Sequence, residues 1–284
     1  MSKKILSLIA CLVIGMLARA ESENPLWMRG GAISPDGNSI AFSYMENIYT
    51  VPSAGGEAKQ LTTNASYDGH PMWSPDGSML AFCSNREGSL DVFIMSATGG
   101  KAERVTTHSF NEYPAGWLGN DTLLIRRAGN PTVSELTFPG STFTRLYKVA
   151  KSGGRQTLFS AISMDHLSMA SDGRILYNNV KGYEDPWRKH HTSSIARDIY
   201  MKEGGAYKRM TTFAGEDRNP VWAPDGKGYY YLSEKDGTFN VYHSTLGGVS
   251  RQLTSFKGNP VRYLSISSNG LLSFAYDGEL YTMV

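Results

Sequence analysis

The chain has 284 residues, with 28 Lys and Arg against 26 Asp and Glu, and a formal net charge of +2. Three of the basic residues lie in the first 20 residues, which contain no acid; without that segment, 25 basic residues face 26 acidic ones and the net charge is −1. This balance argues against a nucleic-acid binder built on a basic surface, and 40% hydrophobic with 19% charged residues is typical of a globular chain rather than a disordered one.

Residues 1–20 have the parts of a secretory signal peptide. A pair of lysines is followed by an apolar run at 5–18 and by a small-x-small cleavage site, Ala-Arg-Ala, at 18–20. The run is shorter than the roughly 20 residues that a membrane-spanning helix needs. We therefore expect an exported protein, periplasmic or secreted, that leaves the membrane after cleavage. A retained anchor and a lipoprotein signal at Cys11 are the alternatives.

Cysteine use fits a fold that is held together by its core. After removal of the leader, Cys83 is the one cysteine left, so no internal disulfide can form even in an oxidising compartment. Cys83 lies in the apolar run Leu80-Ala81-Phe82-Cys83. We interpret it as a buried small hydrophobe and not as a nucleophile.

A turn motif recurs six times along the chain, each time between two short apolar segments. The copies are Ser34-Pro35-Asp36-Gly37, Ser74-Pro75-Asp76-Gly77, Gly119-Asn120-Asp121, Ser171-Asp172-Gly173, Ala223-Pro224-Asp225-Gly226 and Ser268-Asn269-Gly270. Proline presets φ at the first turn position, Asp caps its own backbone, and Gly allows positive φ. Each copy therefore predicts a hairpin between the first and second strands of a repeat.

Two further strands follow in each repeat. The third has a polar–apolar–aromatic pattern and lies at 47–49, 91–93, 145–147, 198–200, 240–242 and 279–281. In the first five repeats it is followed by a Gly-Gly pair, at 55–56, 99–100, 153–154, 204–205 and 247–248. A fourth strand ending in or near Thr comes next, at 60–62, 104–106, 156–158, 209–211 and 252–254. Gly-Gly is expected to form the turn between the third and fourth strands.

Repeats of about 40–50 residues with four antiparallel strands are typical of β-propeller blades. The sequence thus predicts an all-β domain over 21–284, a six-bladed propeller of four-stranded antiparallel blades. The sixth repeat contains three strands and reaches Val284 without a Gly-Gly pair or a fourth strand. We expect this last blade to be incomplete and the full protein to continue beyond 284, because an open edge is a liability that proteins usually cover. A native three-stranded blade is the alternative.

The sequence offers little catalytic chemistry. It contains no Gly-x-Ser-x-Gly, His-Glu-x-x-His, phosphate-binding loop or Cys-x-x-Cys motif. The turn aspartates are spread one per blade and are interpreted as structural. His190 and His191 are adjacent, and adjacent side chains of an extended chain point to opposite sides, so they are poorly placed to chelate one ion. With Arg188 they lie in a charged insertion, about 180–197, interpreted as a partner-facing loop; a second insertion covers 129–141. No catalytic residue, metal or cofactor is expected.

The first strands are expected to line a central channel. Seven residues before the turn Asp or Asn, three blades carry an arginine and blade four an aspartate. The candidate channel or peptide-binding residues are Arg29, Asp165, Arg218 and Arg262 at this position, with His70, Glu112, His166 and Asp217 nearby. The position shares strand parity with Trp73 and Trp222, so all these side chains reach the channel only if the strand twists or bulges. A mixed-charge mouth that handles peptides is one interpretation; ion pairs between blades are the alternative.

The whole of 21–284 resembles a known class of propellers. Its Ser-Pro-Asp-Gly, Ile-Ala-Phe, Asp-Ile-Tyr, Gly-Gly and Leu-Thr pattern is similar to the repeat shared by TolB, tricorn protease and the propellers of prolyl-oligopeptidase-type enzymes. The stretch Tyr183-Glu184-Asp185-Pro186-Trp187-Arg188-Lys189-His190-His191-Thr192-Ser193-Ser194-Ile195-Ala196-Arg197-Asp198-Ile199-Tyr200 resembles the corresponding blade of bacterial tricorn-like proteases more specifically.

That resemblance implies a function. In tricorn-like proteases a six-bladed propeller comes first, and a seven-bladed propeller, a PDZ domain and a serine-peptidase core follow. The resemblance therefore implies a propeller without catalytic residues that channels or gates peptides and contacts other domains of the same protein. Two alternatives stay open: a stand-alone periplasmic TolB-like module that binds an envelope protein, and the propeller of an exported oligopeptidase without its hydrolase domain. TolB has an α/β domain before its propeller, for which there is no room before Leu26.

Overall fold

The computed structural model describes residues 27–129, 143–183, 185, 190 and 192–284. The predicted signal peptide lies outside these ranges. Within them the chain forms 23 strands in six antiparallel sheets and no helix, so no helix of the described residues could cross a bilayer. The prediction of an all-β, six-bladed propeller is confirmed.

The blades follow one another along the chain. Blade one contains β1 Arg29–Ile33, β2 Ser39–Tyr44, β3 Asn47–Pro52 and β4 Lys59–Gln60. Blade two contains β5 Asp68–Trp73, β6 Met79–Ser84, β7 Asp91–Ser96 and β8 Glu103–Arg104. Blade three contains β9 Glu112–Leu118, β10 Thr122–Arg127, β11 Arg145–Ala150 and β12 Thr157–Ser160.

Blade four contains β13 Met164–Met169, β14 Ile175–Asn179, β15 Ile199–Glu203 and β16 Ala206–Arg209. Blade five contains β17 Asp217–Trp222, β18 Gly228–Ser233, β19 Asn240–Thr245 and β20 Ser250–Gln252. Blade six contains β21 Arg262–Ile266, β22 Leu272–Tyr276 and β23 Glu279–Met283.

Each sheet is a simple meander in which consecutive strands pair. The first strand of every blade contacts the first strands of both neighbouring blades, and β21 of blade six contacts β1 of blade one. The six first strands therefore form a closed inner ring around the central channel. Blade six has three strands in the described residues, as the sequence predicts.

The Pro-Asp-Gly motifs form the predicted hairpin turns. In blade two the Ser74 hydroxyl donates to Asp76 Oδ1 at 2.6 Å, the Ser78 amide donates to the same oxygen at 3.0 Å, and the Gly77 amide donates to the Ser74 carbonyl at 2.9 Å. These hydrogen bonds, led by that from Ser74, lower the pKa of the Asp76 carboxyl to about 2. Gly77 has φ of 72°, which glycine adopts without steric cost. Asp76 thus has a structural role in its turn.

In blades one, two, four and five, a threonine ends the fourth-strand segment, and its hydroxyl completes the hydrogen bonding of the sheet. The third-strand amides of Ile48, Val92, Ile199 and Val241 donate to the Oγ1 atoms of Thr62, Thr106, Thr211 and Thr254 at 2.8–3.1 Å. The side-chain oxygen takes the place of the next backbone acceptor, so the fourth strand ends early. This is why β4 covers only Lys59–Gln60, although the sequence predicts a strand through residue 62. We call this arrangement the threonine clasp.

Removal of one clasp is expected to destabilise the fold measurably. Thr106→Val keeps the shape of a side chain that is 2% exposed but leaves the buried Val92 amide without its acceptor. An unsatisfied buried donor costs about 1–3 kcal/mol, which urea denaturation followed by tryptophan fluorescence would measure. Thr107→Val, at the exposed neighbouring position, is the control and should change stability by less than about 0.5 kcal/mol. Equal effects of the two substitutions would contradict the role of the clasp.

Apolar side chains fill the spaces between blades. Trp73 of blade two donates its indole N–H to the Ala32 carbonyl of blade one at 2.8 Å, and Trp222 of blade five donates to the Ser168 carbonyl of blade four at 3.1 Å. In blades two and five the tryptophan therefore joins the inner strand of its own blade to that of the preceding blade. Cys83 is buried, and burial raises the pKa of its thiol to about 12, which agrees with a structural role.

Candidate functional site

The inner strands carry a β-bulge near their start, in the same place in every blade. In five blades the residue six positions before the turn Asp or Asn has positive φ. These residues are Gly30 (64°), His70 (55°), His166 (47°), Asn219 (55°) and Tyr263 (56°). Blade three has Pro114 there, whose ring fixes φ near −65°, and it bulges without a positive φ. This bulge breaks the alternation of side chains along the strand, as is needed for the predicted residues to face the channel while Trp73 and Trp222 pack between blades.

Residues at the bulges converge on the channel axis. His70 of blade two interacts electrostatically with Asp165 and His166 of blade four, although the two blades are not adjacent. Tyr67, which precedes blade two, interacts in the same way with Tyr263 of blade six. These interactions bring side chains from blades two, four and six near one another at this end of the ring, which we call the channel mouth.

The Asp165 carboxylate is the hub of the channel mouth. Arg126 of blade three donates to its Oδ1 at 2.8 Å, and Arg197 donates to its Oδ2 at 2.8 Å. The backbone amide of His166 adds a third donor at 3.1 Å. Burial alone would raise the pKa of this carboxyl, but Arg126, His166 and Arg197 together hold it below its ordinary value. Asp165 is therefore ionised and ties blade three to blade four.

The same network continues into blade five. Arg197 Nε lies 3.9 Å from Glu216 Oε1, and Arg218 donates to Glu216 Oε2 at 2.6 Å. The Arg218 guanidinium also stacks on the Phe239 ring, 4.1 Å from its centroid. Charges thus alternate in the order Arg126, Asp165, Arg197, Glu216, Arg218 across three blades, and we call this series the charge chain.

Both histidines of the channel mouth are held in the neutral form. Burial and then Arg126 lower the pKa of His70, whose ring packs against that of Tyr113 with centroids 5.6 Å apart. Burial, Arg197, Arg126 and Arg218 lower the pKa of His166, against the opposing effect of Asp165. At neutral pH they act as uncharged hydrogen-bonding groups.

Arginines dominate the opposite side of the mouth. Burial and then Arg218 lower the pKa of Arg262 in blade six, and Arg29 of blade one acts in the same direction. Arg262 is therefore close enough to Arg218 and to Arg29 to be repelled by both. Tyr263 and Asp185 oppose this effect.

Two predicted residues do not reach the channel. Glu112 and Asp217 stand one position earlier than the arginine positions, so their side chains point into their own blades, where they are 0% and 2% exposed. Glu112 accepts a hydrogen bond from Gln156 at 2.6 Å and lies 3.6 Å from Arg127 Nε. Burial raises the pKa of Asp217 to about 6. Both residues are next in sequence to a predicted channel position, but side chains alternate along a strand, so they lie on its other face.

Three members of the charge chain, Arg126, Arg197 and Glu216, are not among the channel residues that the sequence predicts. Arg126 lies next to the end of a second strand, Arg197 precedes a third strand, and Glu216 precedes a first strand. In an antiparallel meander these three places lie at the same end of a blade as the start of the first strand. That topological rule is the signal that could have found them.

The insertion of blade four reaches blades five and six at the mouth. The His190 amide donates to Glu234 Oε2 of blade five at 2.8 Å, and Asp185 interacts electrostatically with Arg262 of blade six. Arg188 and His191 lie outside the described residues, so the partner-facing role of this loop stays a prediction. Among the residues that the structure describes, no three His, Cys, Asp or Glu side chains are grouped to hold a metal ion.

Comparison with known proteins agrees with this architecture. Residues 25–284 match the model of the tricorn protease N-terminal β-propeller domain. Tricorn protease homolog 1 of Streptomyces coelicolor is 24% identical over 256 residues, covering 88% of this chain and 23% of the relative. The uncharacterized peptidase YuxL of Bacillus subtilis is 24% identical over 207 residues, covering 68% of this chain and 27% of the relative.

A solved structure shares the fold. The crystal structure of the tricorn protease superposes with a TM-score of 0.75 at 21% identity, over 92% of this chain and 25% of that one. The chain thus spans about a quarter of the length of the proteins that it matches.

Proposed function

The chain belongs to the tricorn protease N-terminal β-propeller family, and from this premise we propose that it is the non-catalytic channel domain of an exported tricorn-like serine peptidase. The domain admits or releases peptides through its central channel. Export rests on the predicted signal peptide, and the peptidase activity belongs to other parts of the parent protein.

The observation that carries the proposal is the composition of the channel mouth. The charge chain of Arg126, Asp165, Arg197, Glu216 and Arg218 presents both signs of charge next to the two neutral histidines. A peptide offers amides, carbonyls and charged termini, and such a surface can pair with each of them without a single deep pocket. Residues that contact a passing chain need to be fixed in position, and the hydrogen bonds within the charge chain fix them.

The insertion of blade four supports a gating role. Its described residues lie where a passing peptide would meet them, since His190 reaches Glu234 of blade five and Asp185 reaches Arg262 of blade six. The first contact is one hydrogen bond, and the second is an attraction between opposite charges. Contacts of this strength can be broken and remade by a competing peptide.

Peptide binding to the purified protein tests the proposal. Arg262→Glu reverses a charge at the mouth, and Lys208→Glu makes the same charge change on the exposed outer strand β16. For fluorescein-labelled decapeptides with free termini, we expect Arg262→Glu to weaken binding by about tenfold, which is 1.4 kcal/mol, and Lys208→Glu to leave it within about twofold.

Two results would overturn the proposal. Equal weakening by both substitutions would remove the channel mouth as the binding site. Cleavage of the peptides by protein that has been purified to constant specific activity would contradict a non-catalytic domain. Circular dichroism of both variants controls for loss of the fold.

A further inference from the structure

A tyrosine ring lies directly over a glycine at the channel mouth. A Cβ atom added to Gly69 would lie 2.8 Å from Tyr67 Cε1 and still closer to the Cζ and Oη atoms of the same ring. The φ angle of Gly69 is not positive, so glycine is needed here for space and not for backbone conformation. The Tyr67 ring therefore takes the space that a side chain at position 69 would fill.

Position 69 is one of the positions that line the mouth. It lies seven residues before Asp76, and three other blades carry arginine at the corresponding place. Blade two has no side chain of its own there. Tyr67, two residues earlier in the chain, supplies one in its stead.

Cys83 forms the floor of the same space. It pairs with Gly69 across β5 and β6, so the two residues share one face of blade two, and the Cys83 thiol donates to the Gly69 carbonyl at 3.4 Å. Ala81, on the same face, packs in one cluster with Trp117 and Tyr147 of blade three. The space therefore lies where blade two faces blade three.

Tyr113 of blade three is a wall of this space. Burial and then Cys83 raise the pKa of both Tyr67 and Tyr113, that of Tyr67 to about 12, so both hydroxyl groups lie near the Cys83 thiol. The Arg126 guanidinium carbon lies 5.5 Å from the Tyr113 ring centroid, and this contact helps to hold the wall in place. Gly69, Cys83 and Tyr113 thus border a space filled by one ring, which we call the ring pocket.

The backbone of Tyr67 is tied down, whereas its ring is only half-buried. The Tyr67 amide donates to Asn85 Oδ1 at 2.9 Å, and the Tyr67 carbonyl accepts from the Asn85 amide at 3.3 Å. Rotation about the side-chain bonds of Tyr67 breaks neither of these bonds. The ring can therefore leave the ring pocket while the blade stays folded.

We propose that the ring pocket is a subsite for one aromatic side chain of a peptide. Tyr67 occupies it until the ring of an arriving Phe or Tyr takes its place. The Tyr67 ring shows what fits, since a flat ring packs on a floor that lacks a Cβ atom and beside an aromatic wall. This inference rests on the function proposed above, because it names a peptide feature that the channel mouth recognises.

The reactivity of Cys83 tests, without any peptide, whether Tyr67 covers the ring pocket. Cys83 is fully buried, and we expect Tyr67→Ala to speed its modification by N-ethylmaleimide, followed by mass spectrometry, by about tenfold or more. Tyr67→Phe keeps the ring and should react within about twofold of the wild-type rate. Tyr207→Ala, at an exposed tyrosine of the outer strand β16, is the matched control and should leave the rate unchanged.

Two decapeptides that differ at one residue test the recognition of a ring. Both are labelled with fluorescein and have free termini, and one carries Phe where the other carries Gly. We expect Tyr67→Ala to bind the Phe peptide about tenfold more tightly than the Gly peptide, because the ring pocket is vacant. The wild type should prefer Phe by about threefold, because Tyr67 competes for the same space. Saturating Phe peptide, but not Gly peptide, should also slow the modification of Cys83 in Tyr67→Ala.

The outcomes separate the subsite from the proposed function. A wild-type rate of thiol modification in Tyr67→Ala, or equal rates in Tyr67→Ala and Tyr67→Phe, would overturn the proposal, because the ring would then not cover the ring pocket. Equal affinity for the Phe and Gly peptides would overturn the subsite and leave the mouth as a peptide site. Binding of neither peptide to any variant would overturn the proposed function and the subsite with it. The two peptides and the wild type decide the matter even if Tyr67→Ala fails to fold.

Discussion

Replacement of Asp217 by Asn is expected to stabilise the protein above pH 6, whereas the same replacement at Asp68 is expected to destabilise it. The two residues hold equivalent positions at the start of β17 and β5, and both are buried. They differ in their partners. Asp68 accepts two hydrogen bonds at 2.9 Å from one nitrogen of Arg86, while Asp217 Oδ1 has no hydrogen-bond partner in the structure.

The pH dependence follows from the pKa of Asp217. Burial raises it from 3.8 to about 6, so the folded state holds the proton more tightly than the unfolded chain does. The ionised carboxylate therefore destabilises the fold above pH 6, and the penalty disappears below about pH 4. A shift of about two pKa units corresponds to about 3 kcal/mol, the upper limit of the gain expected for Asp217→Asn at pH 7.5.

Asp68→Asn should have the opposite sign. It removes the charge from a buried ion pair and leaves Arg86, whose side chain is 22% exposed, without its carboxylate. Loss of one partner of a buried pair costs about 3–5 kcal/mol, and the partial exposure of Arg86 places this case near the lower end. Urea denaturation of both variants from pH 4 to pH 8 measures the two effects. Shifts in the same direction at pH 7.5 would contradict the assignment of partners.

The fold could be predicted because its signals are local. Each Pro-Asp-Gly turn and Gly-Gly pair acts within a few residues, so the hairpins follow from turn chemistry alone. The recurring Thr of the fourth-strand segments can be read from the sequence, but its role cannot. The Thr hydroxyl replaces a backbone acceptor for an amide on another strand, and that contact exists only in the folded blade. The sequence therefore predicts longer fourth strands than β4 and β8 have.

The channel mouth was only partly predictable, because it is assembled from different strands of different blades. Asp165 and Arg218 can be predicted as channel residues because each lies seven residues before the turn Asp of its blade. Arg126 and Arg197 could be added only from knowledge of which strand ends meet. Strand alternation, which a bulge interrupts at one point, decides that Arg218 faces the mouth while the preceding Asp217 does not.

Loss of the Asp165 carboxylate is expected to separate stability from binding at the channel mouth. Asp165→Asn keeps the size of the side chain but removes the charge that two arginines share at 2.8 Å. Because Asp165 is 18% exposed, we expect a loss of about 2–4 kcal/mol, toward the lower part of the range for a broken buried pair.

The pH dependence of this loss has the sign opposite to that of Asp217. The pKa of Asp165 is held below its ordinary value of 3.8, so its contribution is fully present well above pH 4 and is lost as the pH falls through the lowered pKa. The difference between wild type and Asp165→Asn should therefore be large at pH 7.5 and shrink in strong acid. Asp172→Asn, at an exposed turn aspartate of the same blade, is the control and should cost less than about 0.5 kcal/mol.

The same variant tests how the mouth handles charge. Without the carboxylate, Arg126 and Arg197 keep their charges and the positive excess of the mouth grows by one. If peptides bind there, an acidic peptide should bind Asp165→Asn more tightly, by about threefold to tenfold, although the protein is less stable. A purely structural ion pair would lower stability and leave the affinity for acidic and basic peptides unchanged. Denaturation and anisotropy titration of the same sample therefore distinguish a channel that selects peptides from a ring of ion pairs that only joins blades.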